Sequence, residues 1–218
     1  MTCWAFKNIE TFKDHSIGVL NFFREHFSYT IPILAFRTGI EEEKVRKSVE
    51  IAVALHDIGK TSVNYISSQN YYGHEFYSGY LVYKIVEECC DSELTPLVAL
   101  AAINHHQAME GRNLKDMFIH GNYTQIPESY EMAIECEKDV KEILEYIGVR
   151  IENLKKKASR NEVKNWFMYT LGKRLNETHF NKNLYILILG PLMVSDTVVA
   201  NKNRGGEKKN RIIEEYEK

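Results

Sequence analysis

The sequence lacks most of the features that would assign it quickly. It has no GxxxxGK[ST] element, so it carries no phosphate-binding loop and no nucleotide-driven motor of its own. Its four cysteines, Cys3, Cys89, Cys90 and Cys136, form no CxxC pair and two are neighbours, which suits a reducing cytosol better than a disulfide framework. No charged segment followed by an apolar core opens the chain, so no signal peptide is expected. The most apolar stretch, 184–194, is too short to span a bilayer and contains Gly190 and Pro191. A cytoplasmic protein with no membrane partner is expected. Charge of one sign is also missing: 28 Lys and Arg against 30 Asp and Glu give a net −2, so any attraction to nucleic acid must come from a local patch. No hydroxyl or thiol comes with the rest of a nucleophilic triad signature.

No alternating strand pattern, internal repeat, low-complexity segment or domain linker is present either; helical spacing fills the chain. Ile9, Phe12, Val19, Phe22 and Phe23 recur at three- and four-residue steps, one face of a first helix. Thr38 with Glu41 has the form of a capping box for a second, with Val45, Val49, Ala52 and Val53 facing inward and an end near Gly59. A loop over 61–73 leads to a helix through Tyr77, Leu81 and Ile85. Thr95 and Pro96 start another, apolar all round over 97–103 and so expected inside the bundle. The polar stretch 107–127 reads as a lid or insertion. Amphipathic helices follow through Val140, Ile143, Leu144 and Ile147, and through Val163, Trp166, Phe167 and Leu171, the latter capped by Ser159 with Glu162. A last buried helix covers 184–200 and is expected to bend at Pro191. The fold class is all-α: a single-domain helical bundle over 1–200 with a charged C-terminal segment, 201–218.

The stretch VALHDIGKTSV, residues 53–63, sets a titratable pair, His56 and Asp57, where a buried helix would keep carbon. Other polar groups share such placements. His15 falls on the apolar face of the first helix, His74 opens its helix on the Leu81 side, His105 and His106 end the buried helix, and Asp196 lies within the last apolar one. Taken singly, each histidine reads as a hydrogen-bonded core residue. Taken together, five imidazoles and two carboxylates on inward faces are more polar groups than a structural core can satisfy. Facing helices of a bundle are where metal sites are built.

HDIGK resembles the signature of the HD-domain superfamily of metal-dependent phosphohydrolases, in which the His-Asp doublet ligates metal. By that resemblance His15 is the first ligand and Asp196 the last, completing the minimal set with His56 and Asp57. His74 in GHEFYSG, and His105 with His106 in AINHHQ, look like the added ligands of the two-metal branch. The order H…HD…H…HH…D most resembles the CRISPR-associated HD nucleases that accompany the CRISPR helicase, over about residues 10–200.

The resemblance implies two divalent ions. If Asp57 bridges them, His15, His56 and Asp196 would complete one protein shell, and His74, His105 and His106 the other. About two positions on each octahedral ion would stay open for water and phosphate oxygens, the arrangement a two-metal hydrolysis needs. An imidazole-rich set argues for Mn, Fe, Co, Ni or Zn over oxygen-preferring Mg or Ca. The family's choice of metal varies, which keeps Mg among the candidates. Asp57 and Lys60 are the expected catalytic residues. Lys60 would contact the scissile phosphate or the leaving oxygen; its plainer reading is a lysine at a helix C-terminus. Asp14 and Glu75 adjoin ligands but read as solvated, because helix neighbours point in different directions. His26, His120 and His179 read as surface or loop residues.

Two basic clusters run against the weak negative total. Lys155, Lys156, Lys157, Arg160 and Lys164 read as a solvated face. Lys202, Arg204, Lys208, Lys209 and Arg211 follow the last ligand helix, and Lys202 and Arg204 are the candidate nucleic-acid contacts, steering a phosphate backbone toward the metals. The implied substrate is single-stranded DNA, including a strand displaced by guide-RNA pairing; some relatives also cut single-stranded RNA. The implied partners are a separate CRISPR helicase and its guide-RNA complex. Three rival readings stand beside this. One is a small-molecule nucleotide phosphohydrolase. Another is a cyclic-dinucleotide phosphodiesterase, whose branch expects a GYP element where this chain has HHQAMEGRNLKD. The third is a metal-stabilised binding module without turnover.

Overall fold

Thr11 starts the first helix: its hydroxyl accepts from the Asp14 backbone N–H, and Asp14 places negative charge at the helix N-terminus. This computed structural model describes residues 2–68, 73–106, 127–177 and 181–205. Helix α1, Phe12–Phe27, buries Phe12, His15, Val19, Phe23 and Phe27 along one stripe. Before it, strands β1 (Trp4–Phe6) and β2 (Glu10–Thr11) form a small antiparallel ribbon. Ile9 belongs to that ribbon's turn and is exposed, not part of the helix face as expected.

The expected capping box does not form. Residues Thr30–Thr38 make their own helix, α2, which Gly39 ends in the left-handed conformation (φ 69°), while the Thr38 hydroxyl donates back to the Leu34 carbonyl. Helix α3, Glu42–Leu55, starts after that break and ends at His56, before Gly59. Its last turns, Val49 to Leu55, are buried all round. Each Val, Ile or Leu buried there contributes about 1.5–3 kcal/mol, which fixes the helix end that carries His56 and Asp57.

Asp57 leads into a short 3-10 turn, Ile58–Thr61. The stretch expected to be a loop then contains a short helix, α4 (Val63–Ser68), anchored by buried Tyr65. Helices α5 (His74–Cys90) and α6 (Thr95–Asn104) follow. Strands β3 (Ser129–Glu131) and β4 (Lys157–Ser159) pair antiparallel around α7, Ile134–Ile147. Ser159 caps α8, Arg160–Asn165, by accepting from the Glu162 N–H. The chain continues through a π-helical segment, Trp166–Leu171, into α9, Gly172–Glu177. Helix α10, Lys182–Arg204, runs unbroken through Pro191.

The described residues form an all-α fold with two minor ribbons. Five helices close a ring: α1 packs on α3, α3 on α5, α5 on α6, α6 on α10, and α10 on α1. Gly79 lets α5 and α6 approach, since a Cβ there would run into the Ile103 side chain and lie 3.0 Å from the Ala99 carbonyl oxygen. By length and composition α10 could cross a membrane, contrary to the shorter span expected from sequence. Its packing against α1 and α6 is that of a core helix. The structure also joins Cys3 to Cys136 as a disulfide (Cα–Cα 5.1 Å), where free thiols were expected. The pairing crosses 133 residues and leaves no trace in cysteine spacing. Residues 107–126, with His120, fall outside the described residues, as do His179, Gly206, Lys208, Lys209 and Arg211.

Candidate metal centre

Every helix of the ring sends a polar group to one point. His15 comes from the first turn of α1, and His56 and Asp57 from the end of α3. His74 is the first residue of α5, His105 and His106 follow α6, and Asp196 lies within α10. The close approach of α5 depends on Gly59, because a Cβ there would overlap the His74 carbonyl oxygen and lie 2.9 Å from its carbonyl carbon. The Gly59 N–H donates to the Ser78 hydroxyl at 2.9 Å, tying the turn to α5.

The helix ends also set the imidazole tautomers. His56 caps α3 and places Nδ1 2.8 Å from the Val53 carbonyl oxygen; His105 caps α6 with Nδ1 2.7 Å from the Ala102 carbonyl oxygen. A carbonyl only accepts, so each Nδ1 carries the proton and each Nε2 presents a lone pair inward. His15 places Nδ1 3.0 Å from Glu10 Oε1, which turns its Nε2 toward the same point. His74 Nδ1 lies 3.2 Å from Glu75 Oε2. The C-terminal ends of α3 and α6 add negative potential at the same point, favouring a cation.

Asp57 stands between two sets of imidazoles. Its Oδ2 is 3.6 Å from both His15 Nε2 and His56 Nε2. Its Oδ1 is 2.9 Å from His74 Nε2 and 3.3 Å from His105 Nε2. Asp196 Oδ1 joins the first side, 3.2 Å from His15 Nε2 and 3.6 Å from His56 Nε2. His106 joins the second, its ring 3.8 Å from that of His105 and 5.2 Å from that of His74. Three overlapping groups have donor atoms within 4.8 Å of one another: Asp57 with His74, His105 and His106; Asp57 with His15 and His56; and His56 with His105 and Asp196. All seven residues expected as ligands are brought together.

The electrostatics are those of a buried donor cage. Burial opposes charge on His15, but hydrogen bonds to Asp196 and Glu10 outweigh it and raise its pKa to about 9. Burial dominates at His56 and lowers it, in spite of Asp57. His106 is pushed far down by burial and by the neighbouring His105 and His74. Burial also works against ionised Asp57 and Asp196. Lys60 and the surrounding histidines nevertheless hold Asp57 well below the usual carboxylate range, and His15 and His56 do the same for Asp196.

Several of these atoms are buried without a hydrogen bond: Asp57 Oδ1, His105 Nε2 and His106 Nδ1. Orphaned acceptors converging from different helices are costly in a protein core, and a divalent cation is the partner that would satisfy them together. The residues therefore fit metal ions. The set is rich in imidazole and has two carboxylates, which suits Mn, Fe, Co, Ni or Zn better than Ca. Lys60 Nζ sits 2.5 Å from Asp57 Oδ2 and neutralises it. Asp196 and His106, each about 9% exposed, mark the side of the cage nearest solvent.

Some neighbours differ from expectation. Asp14 is exposed and bonded to Thr11, but Glu75, expected to be solvated, is buried at 2% because the first turn of α5 is enclosed on all sides. Sequence reading missed Glu10, whose only signal is an acid five residues before His15. Arg204, a candidate nucleic-acid contact, spends its guanidinium on Glu10 Oε2 at 2.8 Å, while Lys202 is exposed. The cluster Lys155, Lys156 and Lys157 is paired with Glu162, Glu137 and Glu131.

A family model described as HD domain matches residues 12–162, a span that holds every candidate ligand except Asp196. No curated protein matches the chain.

Proposed function

The chain belongs to the HD domain family, a family of metal-dependent phosphohydrolases, and from that premise we propose that it is a two-metal nuclease hydrolysing phosphodiester bonds of single-stranded DNA. The observation that carries the proposal is the division of Asp57, with one oxygen facing His15 and His56 and the other facing His74 and His105. A carboxylate so placed can serve two cations at once, with Asp196 and His106 completing the two sides.

Bound there, divalent ions would supply an activated water and stabilise charge on the attacking and leaving oxygens of the phosphodiester. The chain's own residues do the rest. His56 and His105 are locked by their helix ends with lone pairs inward, so the cage needs little reorganisation to receive cations. Lys60 balances Asp57 in the ion-free protein, and its ammonium beside the cage is a cation that a phosphate oxygen could meet. The packed helices behind the ligands exclude water from all but the Asp196 and His106 side.

The order of the ligands along the chain and the exposed Lys202 beyond Asp196 support a single-stranded polynucleotide substrate. They also support a cytoplasmic role in CRISPR interference beside a separate helicase and its guide-RNA complex. The test is cleavage of labelled single-stranded DNA, single-stranded RNA, duplex DNA, a mononucleotide and a cyclic dinucleotide. It is run in EDTA and then with Mn, Mg, Ni and Co restored, beside Asp57→Ala. Metal-dependent cutting of the single strand, lost in the variant, is expected. Turnover of a mononucleotide or cyclic dinucleotide without strand cutting would refute the nuclease and leave a small-molecule phosphohydrolase.

A further inference from the structure

The inward-facing histidines are oriented by different means. His56 and His105 sit at helix ends, where the third carbonyl back is free to accept from Nδ1. His15 has no such partner, because it lies within α1 and the carbonyls of the preceding turn serve the helix itself. Its Nδ1 needs an oxygen from outside the helix, and that oxygen is Oε1 of Glu10, on β2.

Glu10 is only 3% exposed and is held by two further donors. Asn203 Nδ2 donates to Oε1 at 2.7 Å, and Arg204 Nε donates to Oε2 at 2.8 Å. The Arg204 guanidinium also lies over the Phe6 ring, 5.0 Å from its centroid, which fixes it against β1. Asn203 follows Asp196 by seven residues, two turns of α10, so both project from one face of that helix. One face of α10 thus supplies a ligand and, two turns later, the clamp on the carboxylate that orients another ligand.

Resting on the metal-centre reading above, we propose that Glu10 is the positioning residue of His15, and that Asn203 and Arg204 hold Glu10 in that role. The buried carboxylate, balanced by Arg204, accepts from Nδ1 and so keeps Nε2 of His15 directed at the cage. Arg204 accordingly belongs to the metal centre and is not part of a nucleic-acid track. Outer carboxylates of this kind typically change metal affinity by about 10- to 100-fold when removed.

The full-length chain, stripped with chelator, would be titrated with Co2+ and with Mn2+. Calorimetry gives affinity and number of ions, and visible absorption gives the cobalt ligand field. The wild-type chain is expected to bind two ions. Glu10→Gln is expected to weaken one binding event by about 10- to 100-fold and to shift that ion's cobalt spectrum, leaving the other event unchanged. Asn203→Ala is expected to weaken the same event less, and the double variant to be no weaker than Glu10→Gln alone, because both act through one carboxylate. A purely structural role would lower the melting temperature in EDTA without singling out one ion. Unchanged affinity and spectrum in Glu10→Gln, or equal weakening of both events, overturns the proposal. Should Glu10→Gln fail to fold, Asn203→Ala decides alone, and unchanged affinity for both ions overturns it. A wild-type chain that binds no ion refutes the metal-centre reading itself, a result distinct from two intact sites in Glu10→Gln.

Discussion

Replacing Asp57 by Asn tests the centre most directly, because it keeps the shape of the side chain and removes the charge that both histidine sets share. In the ion-free protein Asp57 balances Lys60, 2.5 Å away and itself only 6% exposed. Removing one member of a buried pair typically costs about 3–5 kcal/mol. For a chain of this length about 1 kcal/mol shifts the melting temperature by roughly 2–4 °C, so the variant in EDTA should melt roughly 6–20 °C below the parent.

The response to metal is the sharper readout. An ion at 100 times its dissociation constant stabilises the folded chain by about 2.7 kcal/mol, which corresponds to roughly 5–11 °C per ion. Asp57→Asn should lose most of that shift for both ions, since each loses the carboxylate that the two sides share. Asp196→Asn should lose it chiefly for one, because Asp196 pairs with His15 and His56 at 3.2 and 3.6 Å. The assay is thermal melting followed by circular dichroism, in EDTA and across a Mn2+ or Co2+ series, with bound metal counted by elemental analysis. A metal-induced shift in Asp57→Asn as large as in the parent would refute the shared-ligand reasoning, whatever happens to activity.

Three further outcomes follow from the same geometry. Gly59→Ala should destabilise the chain by about 1–3 kcal/mol and reduce metal uptake on the His74 side, because the new Cβ meets backbone and not a movable side chain; melting in EDTA together with bound-metal counts checks both. Lys202→Gln should reduce the salt slope of single-strand binding by about 0.7, whereas Arg204→Gln should chiefly alter metal affinity; equal effects on the slope would contradict the assignment of Arg204 to Glu10. Burial raises Tyr77 from 10.0 to about 12, so the folded state keeps its proton where the unfolded chain loses it. That contribution is intact below pH 10 and is lost as pH rises through about 12; alkaline melts of Tyr77→Phe should show a smaller decline over that window.

The helical architecture was legible because apolar residues at three- and four-residue steps have few other uses. The candidate site was legible for a related reason. His15, His56 and Asp196 interrupt apolar faces, and a polar residue on such a face has to be explained. Glu10 was not legible, because its partners Asn203 and Arg204 lie 193 and 194 residues away and meet it only when the chain ends converge. Glu75 was misjudged by helix geometry alone: adjacent positions do diverge, but at the start of α5 both directions are enclosed. The break between α2 and α3 was hidden by a plausible capping box, and Gly39, which ends α2, was the residue that mattered. Arg204 looked like part of a charge run until its partner across the fold was known.

The ligands and the core of this domain share one scaffold. The cage is assembled from all five ring helices, so no single helix can move without displacing a donor atom. Without a cation, buried Asp57 Oδ1, His105 Nε2 and His106 Nδ1 have no hydrogen bond, and Asp57 relies on Lys60 for its balance. Each of these features lowers the stability of the ion-free state relative to the loaded one. Cations would therefore complete the core as well as equip it for chemistry, and the two effects should rise together in a metal titration. A chain whose activity saturates with metal while its melting temperature stays constant would show that the donors are satisfied in some other way, and would separate the catalytic site from the packing proposed to create it.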